Sequence, residues 1–389
     1  MSGLVSNSVL YSRVPYVAPA WLASSVQSSR VPSSRVQLGR FPTPIHKWRP
    51  VEEERDEGEV EFWIKRDDLS SSDLSGNKVR KLEFLLDAAL EGGHDSIITI
   101  GGVQSNHARA TAVAARQLGL EPFLILRTRN AAQDDPAILS ESIVGNLMYA
   151  RLVNAEIQTV SAATYATVGS ASLVAQLTEQ LIDAGRNPFP IPVGGSNALG
   201  CFGYLDAVEE IRQQEEATGV TFDHVVFSCG SGGTASGLAL GLRLCSGGSK
   251  SVHAIGVCDS PGHFYQHIRE TAVALGVDLS LHGDVESWLT VHAGSGLGYA
   301  RSSEDELKFI LDVGSRTGII LDPVYSGKAL YHFLREVLPR RKDLFLKGQK
   351  VLFIHTGGAA GVYDKADQLG PILRDNPPKP MLVKNPPRA

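Results

Sequence analysis

The apolar residues fall into short runs separated by helical stripes. Glu61 to Lys65 reads as a short strand, followed by the charged turn Arg66-Asp67-Asp68 and a serine-rich loop from Ser70 to Gly76. From Lys78, residues Val79, Leu82, Phe84, Leu85, Leu86, Ala89 and Leu90 recur at helical spacing, and Gly92-Gly93 ends the helix. Strands are then predicted at Ser96–Ile100, Pro122–Leu126, Ile157–Val160, Pro188–Val193, His224–Phe227, Val252–Val257 and Lys350–His355. Helices are predicted at His107–Leu118, Ile143–Leu152, Ser170–Ala184, Tyr204–Glu215, Thr234–Leu244, Glu304–Arg316 and Gly327–Leu338. A loop with Asp134, Asp135 and Pro136 interrupts the series, and the stretch between Val257 and Glu304 is less regular. Repeated βα units argue for an α/β fold of mostly parallel sheets covered by helices, and the number of strands suits two sheets. Apart from a proline-rich tail, Pro377 to Pro387, the chain shows no repeat or low-complexity tract.

A length of 389 residues suits two domains or one large α/β unit. Apolar residues make up 43% and charged residues 20%, enough for a sizeable core. The net charge of −5 leaves no basic footprint for nucleic acid. No run approaches the roughly eighteen apolar residues of a membrane span. Cys201, Cys229, Cys245 and Cys258 form no C-x-x-C pair and no zinc spacing, so no metal is expected and the thiols read as reduced and intracellular.

The amino-terminal stretch has two readings. The first acidic residue is Glu52, and Arg13, Arg30, Arg35 and Arg40 lie among serines, the composition of a mitochondrial transit peptide. Pro15, Pro19, Pro32, Pro42 and Pro44 would break a targeting helix and suit an arm wrapped around the domain. The compartment, mitochondrial or cytoplasmic, stays open with them.

Four strand ends carry glycine-rich turns: Gly101-Gly102-Val103-Gln104-Ser105-Asn106, Gly194-Gly195-Ser196-Asn197, Gly230-Ser231-Gly232-Gly233-Thr234 and Thr356-Gly357-Gly358. Ligands of open α/β sheets sit beyond the carboxyl ends of strands, where such turns lie. Any one of them alone also suits a merely tight turn. The third follows the strand Val225-Val226-Phe227 and opens a helix of small residues, so its N–H groups suit a phosphate, with hydroxyls from Ser231 and Thr234. A dinucleotide site is the rival, with Gly230, Gly232 and Asp259 in loose agreement, but the third glycine of G-x-G-x-x-G is out of place.

Lys78, Arg80 and Lys81 open a helix, where the helix dipole disfavours cations, so they read either as an electropositive site or as a solvated basic turn. The run Ser75 to Phe84, with Gly101 to Asn106 and Arg109, resembles the D-cysteine desulfhydrase and 1-aminocyclopropane-1-carboxylate (ACC) deaminase family. The resemblance extends from Phe41-Pro42-Thr43-Pro44 to Thr356-Gly357-Gly358. The chain resembles the plant-type desulfhydrases through Pro44-Ile45-His46-Lys47-Trp48, Gly298-Tyr299-Ala300 and Phe353 to Gly358.

This resemblance implies pyridoxal 5′-phosphate (PLP) as cofactor, the tryptophan-synthase-β-like fold of type II, and a homodimer. It implies an arm over 1–40, a large PLP-binding domain over 41–81 and 199–389, and a small inserted domain over 82–198, with the cofactor in the cleft between them. Lys78 matches the lysine bonded to the cofactor aldehyde, and Lys81 matches a phosphate contact. Gly230, Ser231, Gly232, Gly233 and Thr234 match the phosphate cup, and Asn106 the partner of the ring hydroxyl. Asn77, Ser326 and Thr356 are assigned to the cofactor as well. Ser105, Asn106 and His107 are assigned to the substrate, Ser105 is counted among the catalytic residues with Lys78, and Tyr299 and Tyr325 match two catalytic tyrosines.

The implied reaction is a β-elimination from a small amino acid, D-cysteine, giving pyruvate, hydrogen sulfide and ammonia. Lys78 is expected to take the Cα proton, with its pKa lowered by neighbouring cations and by desolvation. Tyr299 or Tyr325 would protonate the leaving sulfur. Asp322-Pro323-Val324-Tyr325-Ser326-Gly327 places a serine where ACC deaminases carry a glutamate near the ring nitrogen. A neutral partner leaves a weaker electron sink, which favours the desulfhydrase. The alternatives are ACC deaminase or another deaminase of D- or β-substituted amino acids, a dinucleotide-dependent oxidoreductase, and a non-catalytic relative.

Overall fold

The computed structural model describes residues 11–51, 60–128, 143–374 and 381. The loop around Asp134 and most of the proline-rich tail lie outside them. Among the described residues no helix is long and apolar enough to cross a membrane.

Two sheets organise the chain. The strands are β1 (Arg13–Pro15), β2 (Ser34–Val36), β3 (Ile45–Lys47), β4 (Glu61–Lys65), β5 (Ser96–Gly102), β6 (Glu121–Arg127), β7 (Glu156–Val160), β8 (Pro188–Ile191), β9 (His224–Cys229), β10 (Ser251–Gly256), β11 (Thr290–Ala293) and β12 (Lys350–Ile354). The larger sheet runs β11-β10-β9-β12-β4-β3, and the smaller runs β7-β6-β5-β8. Every pair in them is parallel except β3, which runs antiparallel to β4 at an edge. Central strands β5 and β9 are apolar on both faces because helices cover both, as parallel sheets require. The two-sheet parallel architecture expected from the βα alternation is therefore present.

Parallel strands bring their carboxyl ends to the same edge of a sheet. Gly101-Gly102 closes β5, Gly194 follows β8, Gly230 follows β9, Cys258 follows β10 and Thr356 follows β12. The four glycine turns therefore meet at one cavity.

Several elements depart from the expected pattern. The helix predicted from Tyr204 begins at Ala198 and runs to Thr218, with the Asn197 side chain accepting from Gly200 N. Gly200 and Gly203, which look like turn residues, are packing residues: a Cβ on Gly203 would lie 2.3 Å from Arg80 O. The irregular stretch contains a fourteen-residue helix, Pro261–Ala274, and the strand β11. The Gly327–Leu338 helix is α-helical over Ser326–His332 and a π-helix over Phe333–Val337.

From residue 11 onward the amino-terminal stretch wraps the fold. Leu22 and Val26 enter the core of the larger sheet, and Val36 and Leu38 pack on the Lys78–Glu91 helix. Arg13 pairs with Asp87 at 2.7 Å, and Arg35 contacts Asp206.

Candidate active site

Lys78 is the first residue of the Lys78–Glu91 helix. The turn before it is held by close backbone approach. Gly76 has φ of +94°, and a Cβ there would lie 2.4 Å from Thr356 O. Asn77 N donates to Thr356 O at 3.1 Å, and Asn77 Nδ2 donates to Thr234 Oγ1 at 3.0 Å. The carboxyl ends of β9 and β12 thus fix the start of the helix and direct Lys78 into a cavity of about 550 Å³.

The cationic cluster expected at this helix start separates into two environments. Arg80 turns away from the cavity into a buried network, with Nη2 2.8 Å from Asp67 Oδ1 and Nη1 3.0 Å from Glu210 Oε2. Tyr204 and Lys65 complete that network through Asp67 and Glu210. Lys78 lines the cavity, and Lys81 lies buried behind its wall. Burial lowers the Lys78 amine to about 8. The expectation that cations would share in this is not met at Lys78. The charge repulsion appears instead at Lys81, which burial and then Lys78 push well down.

Lys81 Nζ donates to Gly194 O at 3.1 Å and lies 3.5 Å from Ser196 Oγ, beneath the Gly230–Thr234 turn. Ser196, unassigned from the sequence, joins the second and third glycine turns: it accepts from Gly233 N at 3.2 Å and pairs with Ser231 Oγ at 2.8 Å. Gly232 has φ of +87° and caps the Gly233–Ser246 helix without a side-chain acceptor, so that helix start still offers N–H groups. Gly230, Ser231, Gly232 and Thr234 line the cavity, and Gly233 stands behind them against Lys81 and Ser196.

On the smaller sheet, Ser105 caps the Asn106–Gln117 helix by accepting from Ala108 N at 3.2 Å, which leaves its O–H free to donate. Asn106 Oδ1 is buried with no hydrogen-bond partner among the described residues. His107 lines the cavity, but both ring nitrogens face protein hydroxyls, Thr99 at 2.9 Å and Thr111 at 3.5 Å. Thr99 Oγ1 donates to Ile191 O, so His107 Nε2 is the donor to Thr99. Burial, with Lys78 and Lys81, pushes the His107 pKa well down, so the ring is neutral.

Tyr299 and Tyr325 meet over the opposite wall, hydroxyl to hydroxyl at 2.8 Å. A Cβ on Gly230 would lie 2.8 Å from the Tyr325 ring, so glycine lets the ring approach the turn. Thr356 lines the cavity and bonds Ser228 Oγ at 3.0 Å. Ser326 stands apart from the other assigned residues. It is fully buried, and its Oγ donates to Asp322 Oδ1 at 2.8 Å rather than lining the cavity.

Sequence reasoning missed Arg127, Cys258, His263 and His267, all of which line the cavity. The two histidines had a legible signal. Ser260-Pro261 is an N-cap with proline at the first helical position, followed by Phe264, Ile268 and Ala272 at four-residue spacing.

The residues fit a phosphorylated aldehyde with a polar ring. A lysine amine near neutrality suits the aldehyde, a glycine turn at a helix start suits the phosphate, and the unpaired Asn106 oxygen suits a ring O–H donor. Comparison with known proteins agrees. Residues 36–357 match the family described as pyridoxal-phosphate dependent enzyme. An Arabidopsis thaliana protein named bifunctional D-cysteine desulfhydrase/1-aminocyclopropane-1-carboxylate deaminase, mitochondrial, is 44% identical over 93% of this chain and 86% of its own length. A D-cysteine desulfhydrase of Serratia proteamaculans is 35% identical over 78% of this chain and 88% of its own. A crystal structure of an ACC deaminase homologue superposes with a TM-score of 0.70 at 33% identity, covering 91% of this chain and 98% of that one. The dinucleotide reading ends here, and the chain belongs to the pyridoxal-phosphate dependent enzyme family.

Proposed function

We propose that this enzyme is a β-eliminating lyase that converts D-cysteine and water to pyruvate, hydrogen sulfide and ammonia. The carrying observation is Lys78, a lysine amine lowered to about 8 by burial at the floor of a cavity walled by a glycine turn and two tyrosines. The names of the Arabidopsis and Serratia relatives support the substrate.

PLP, when bound, supplies the electron sink for the pair left at Cα. Lys78, Lys81, Asn77, Asn106, Thr356 and the Gly230–Thr234 turn are the residues that would hold it. The chain's own groups do the rest. The neutral Lys78 amine takes the Cα proton. The Ser105 hydroxyl and the start of the Asn106–Gln117 helix hold the carboxylate. Tyr299, paired with Tyr325, gives a proton to the sulfur as the Cβ–S bond breaks. His107 keeps the wall of the pocket neutral and positioned.

In this reading ACC is a minor substrate, because the D-cysteine desulfhydrase name is shared by the Arabidopsis and Serratia relatives. The serine after Tyr325 does not carry that preference, since its hydroxyl is bound to Asp322 away from the cavity. The bifunctional name of the Arabidopsis relative favours ACC turnover as the second reading. The protein is taken as intracellular, mitochondrial or cytoplasmic, and as a homodimer. Its small domain is 82–198, which holds all of β5–β8, and its large domain is 41–81 with 199–389.

Sulfide release from D-cysteine and L-cysteine, assayed beside ammonia release from ACC, tests the reading. D-cysteine should be favoured; equal turnover of D-cysteine and ACC would remove the preference. Borohydride reduction of the loaded enzyme should label Lys78, and a label on Lys81 would overturn the assignment.

A further inference from the structure

The Pro261–Ala274 helix brings a second basic group to the glycine turn. Phe264, Ile268, Thr271 and Ala272 bury one face of it. Its other face carries His263 and His267, one turn apart, and both line the cavity. The backbone at His267 is fixed, because Thr271 Oγ1 donates to His267 O at 2.8 Å. Ser236 links the two helices, with its Oγ 3.4 Å from Thr271 Oγ1 and 3.2 Å from Gly232 O.

The imidazole of His267 lies directly over Gly232. A Cβ at that glycine would stand 2.4 Å from Cδ2, 3.1 Å from Cγ and 3.3 Å from Nε2 of the ring. A side chain at this glycine, whose φ is +87°, would displace the ring. Its Nε2 is buried and has no hydrogen-bond partner among the described residues. Folded proteins rarely leave such an atom unpaired unless something outside the chain satisfies it. The atoms around it point to an anion: the start of the Gly233–Ser246 helix, whose N-cap Gly232 brings no side-chain acceptor, the Ser231 and Thr234 hydroxyls, and Lys81 behind the turn.

We propose that His267 is a phosphate ligand of the cofactor, closing the Gly230–Thr234 cup from the side opposite Lys81 by donating an Nε2–H hydrogen bond. The inference rests on the PLP reading above and deepens it. Burial, Lys81 and His263 hold the ring neutral in the free protein, against a smaller opposing effect of Glu270. A neutral imidazole protonated on Nε2 is still a full donor. Two groups of different character thus grip the phosphate: a lysine amine behind the turn and an imidazole across it.

The test compares two probes on the cofactor-free protein: PLP, and pyridoxal, which has the aldehyde but no phosphate. Affinities are read by quenching of intrinsic fluorescence, independently of turnover. His267→Ala should lower PLP affinity about tenfold, as expected for a lost hydrogen bond to a charged group. Its pyridoxal affinity should stay within about twofold of the wild type, the tolerance of an uninvolved site, which also shows that the variant is folded. His267→Gln, which keeps an N–H donor, should recover most of the loss. In the unaltered protein, the Nε2 nitrogen resonance of His267, identified by its absence in His267→Gln, should move on addition of PLP and stay in place with pyridoxal. Equal losses for both probes, no loss for either, or a resonance that moves equally with both would overturn the proposal. A wild-type protein that binds neither probe would instead remove the PLP reading itself.

Discussion

The hydroxyls of Tyr299 and Tyr325 stand 2.8 Å apart, yet the two phenols are not equivalent. Burial raises both. Tyr299 also has the Arg127 guanidinium 5.5 Å from its ring centre, and that charge offsets part of the rise. Tyr299 is therefore the more acidic partner and the better donor to a leaving sulfur.

Two variants follow from that asymmetry. Tyr299→Phe should lower kcat for sulfide release by about 10²-fold, the low end for a general acid because a thiolate already leaves well. Tyr325→Phe should cost less. Arg127→Gln should shift the alkaline limb of the kcat profile to higher pH. Tyr299 must be protonated to donate, and without the neighbouring charge it holds its proton longer. An equal loss from both tyrosine variants, or a limb that moves down in Arg127→Gln, would refute the ordering.

Lys78 offers a pH test that needs no substrate. Its amine lies near 8 because burial disfavours the ammonium form, whereas an exposed lysine titrates near ~10.4. Only the neutral amine attacks an aldehyde. The rate of covalent attachment of PLP to the cofactor-free protein should climb with pH and level off above about 8. Stopped-flow absorbance measures it. A rate still climbing steeply at pH 10 would mean that the amine is solvated.

Much of this site was legible in the chain. Lys78, the glycine turns and the tyrosines stand in conspicuous motifs, and parallel βα alternation alone brings the strand ends together. What was not legible depends on direction. Arg80 and Lys81 are adjacent in sequence, but one helical residue is a rotation of about 100°. That rotation carries Arg80 into the Asp67–Glu210 network and Lys81 under the glycine turn. The place of Ser326 after Tyr325 suggests the cofactor ring, but its hydroxyl is taken up by Asp322. The Pro261–Ala274 helix carries its cap and spacing in the sequence, but only the fold turns its His263 and His267 face toward the cavity.

The rotation of Arg80 carries a stability prediction. Its guanidinium bridges Asp67 and Glu210 in the interior, and Asp67 also accepts from Tyr204 and Thr43. Removing one partner of a buried ion pair leaves the other charges uncompensated, at a cost of about 3–5 kcal/mol. Arg80→Met should therefore lose about that much in urea unfolding. Burial alone would raise the Asp67 carboxyl, but Arg80 overrides it and holds the group at about 2. A depressed carboxylate contributes stability that is complete above its unfolded value, near ~3.9, and lost as pH falls toward the folded one. The wild type should accordingly lose stability between about pH 4 and pH 2, and Arg80→Met should lose less across that interval. Parallel acid dependences for the two proteins would show that Arg80 does not hold the Asp67 charge.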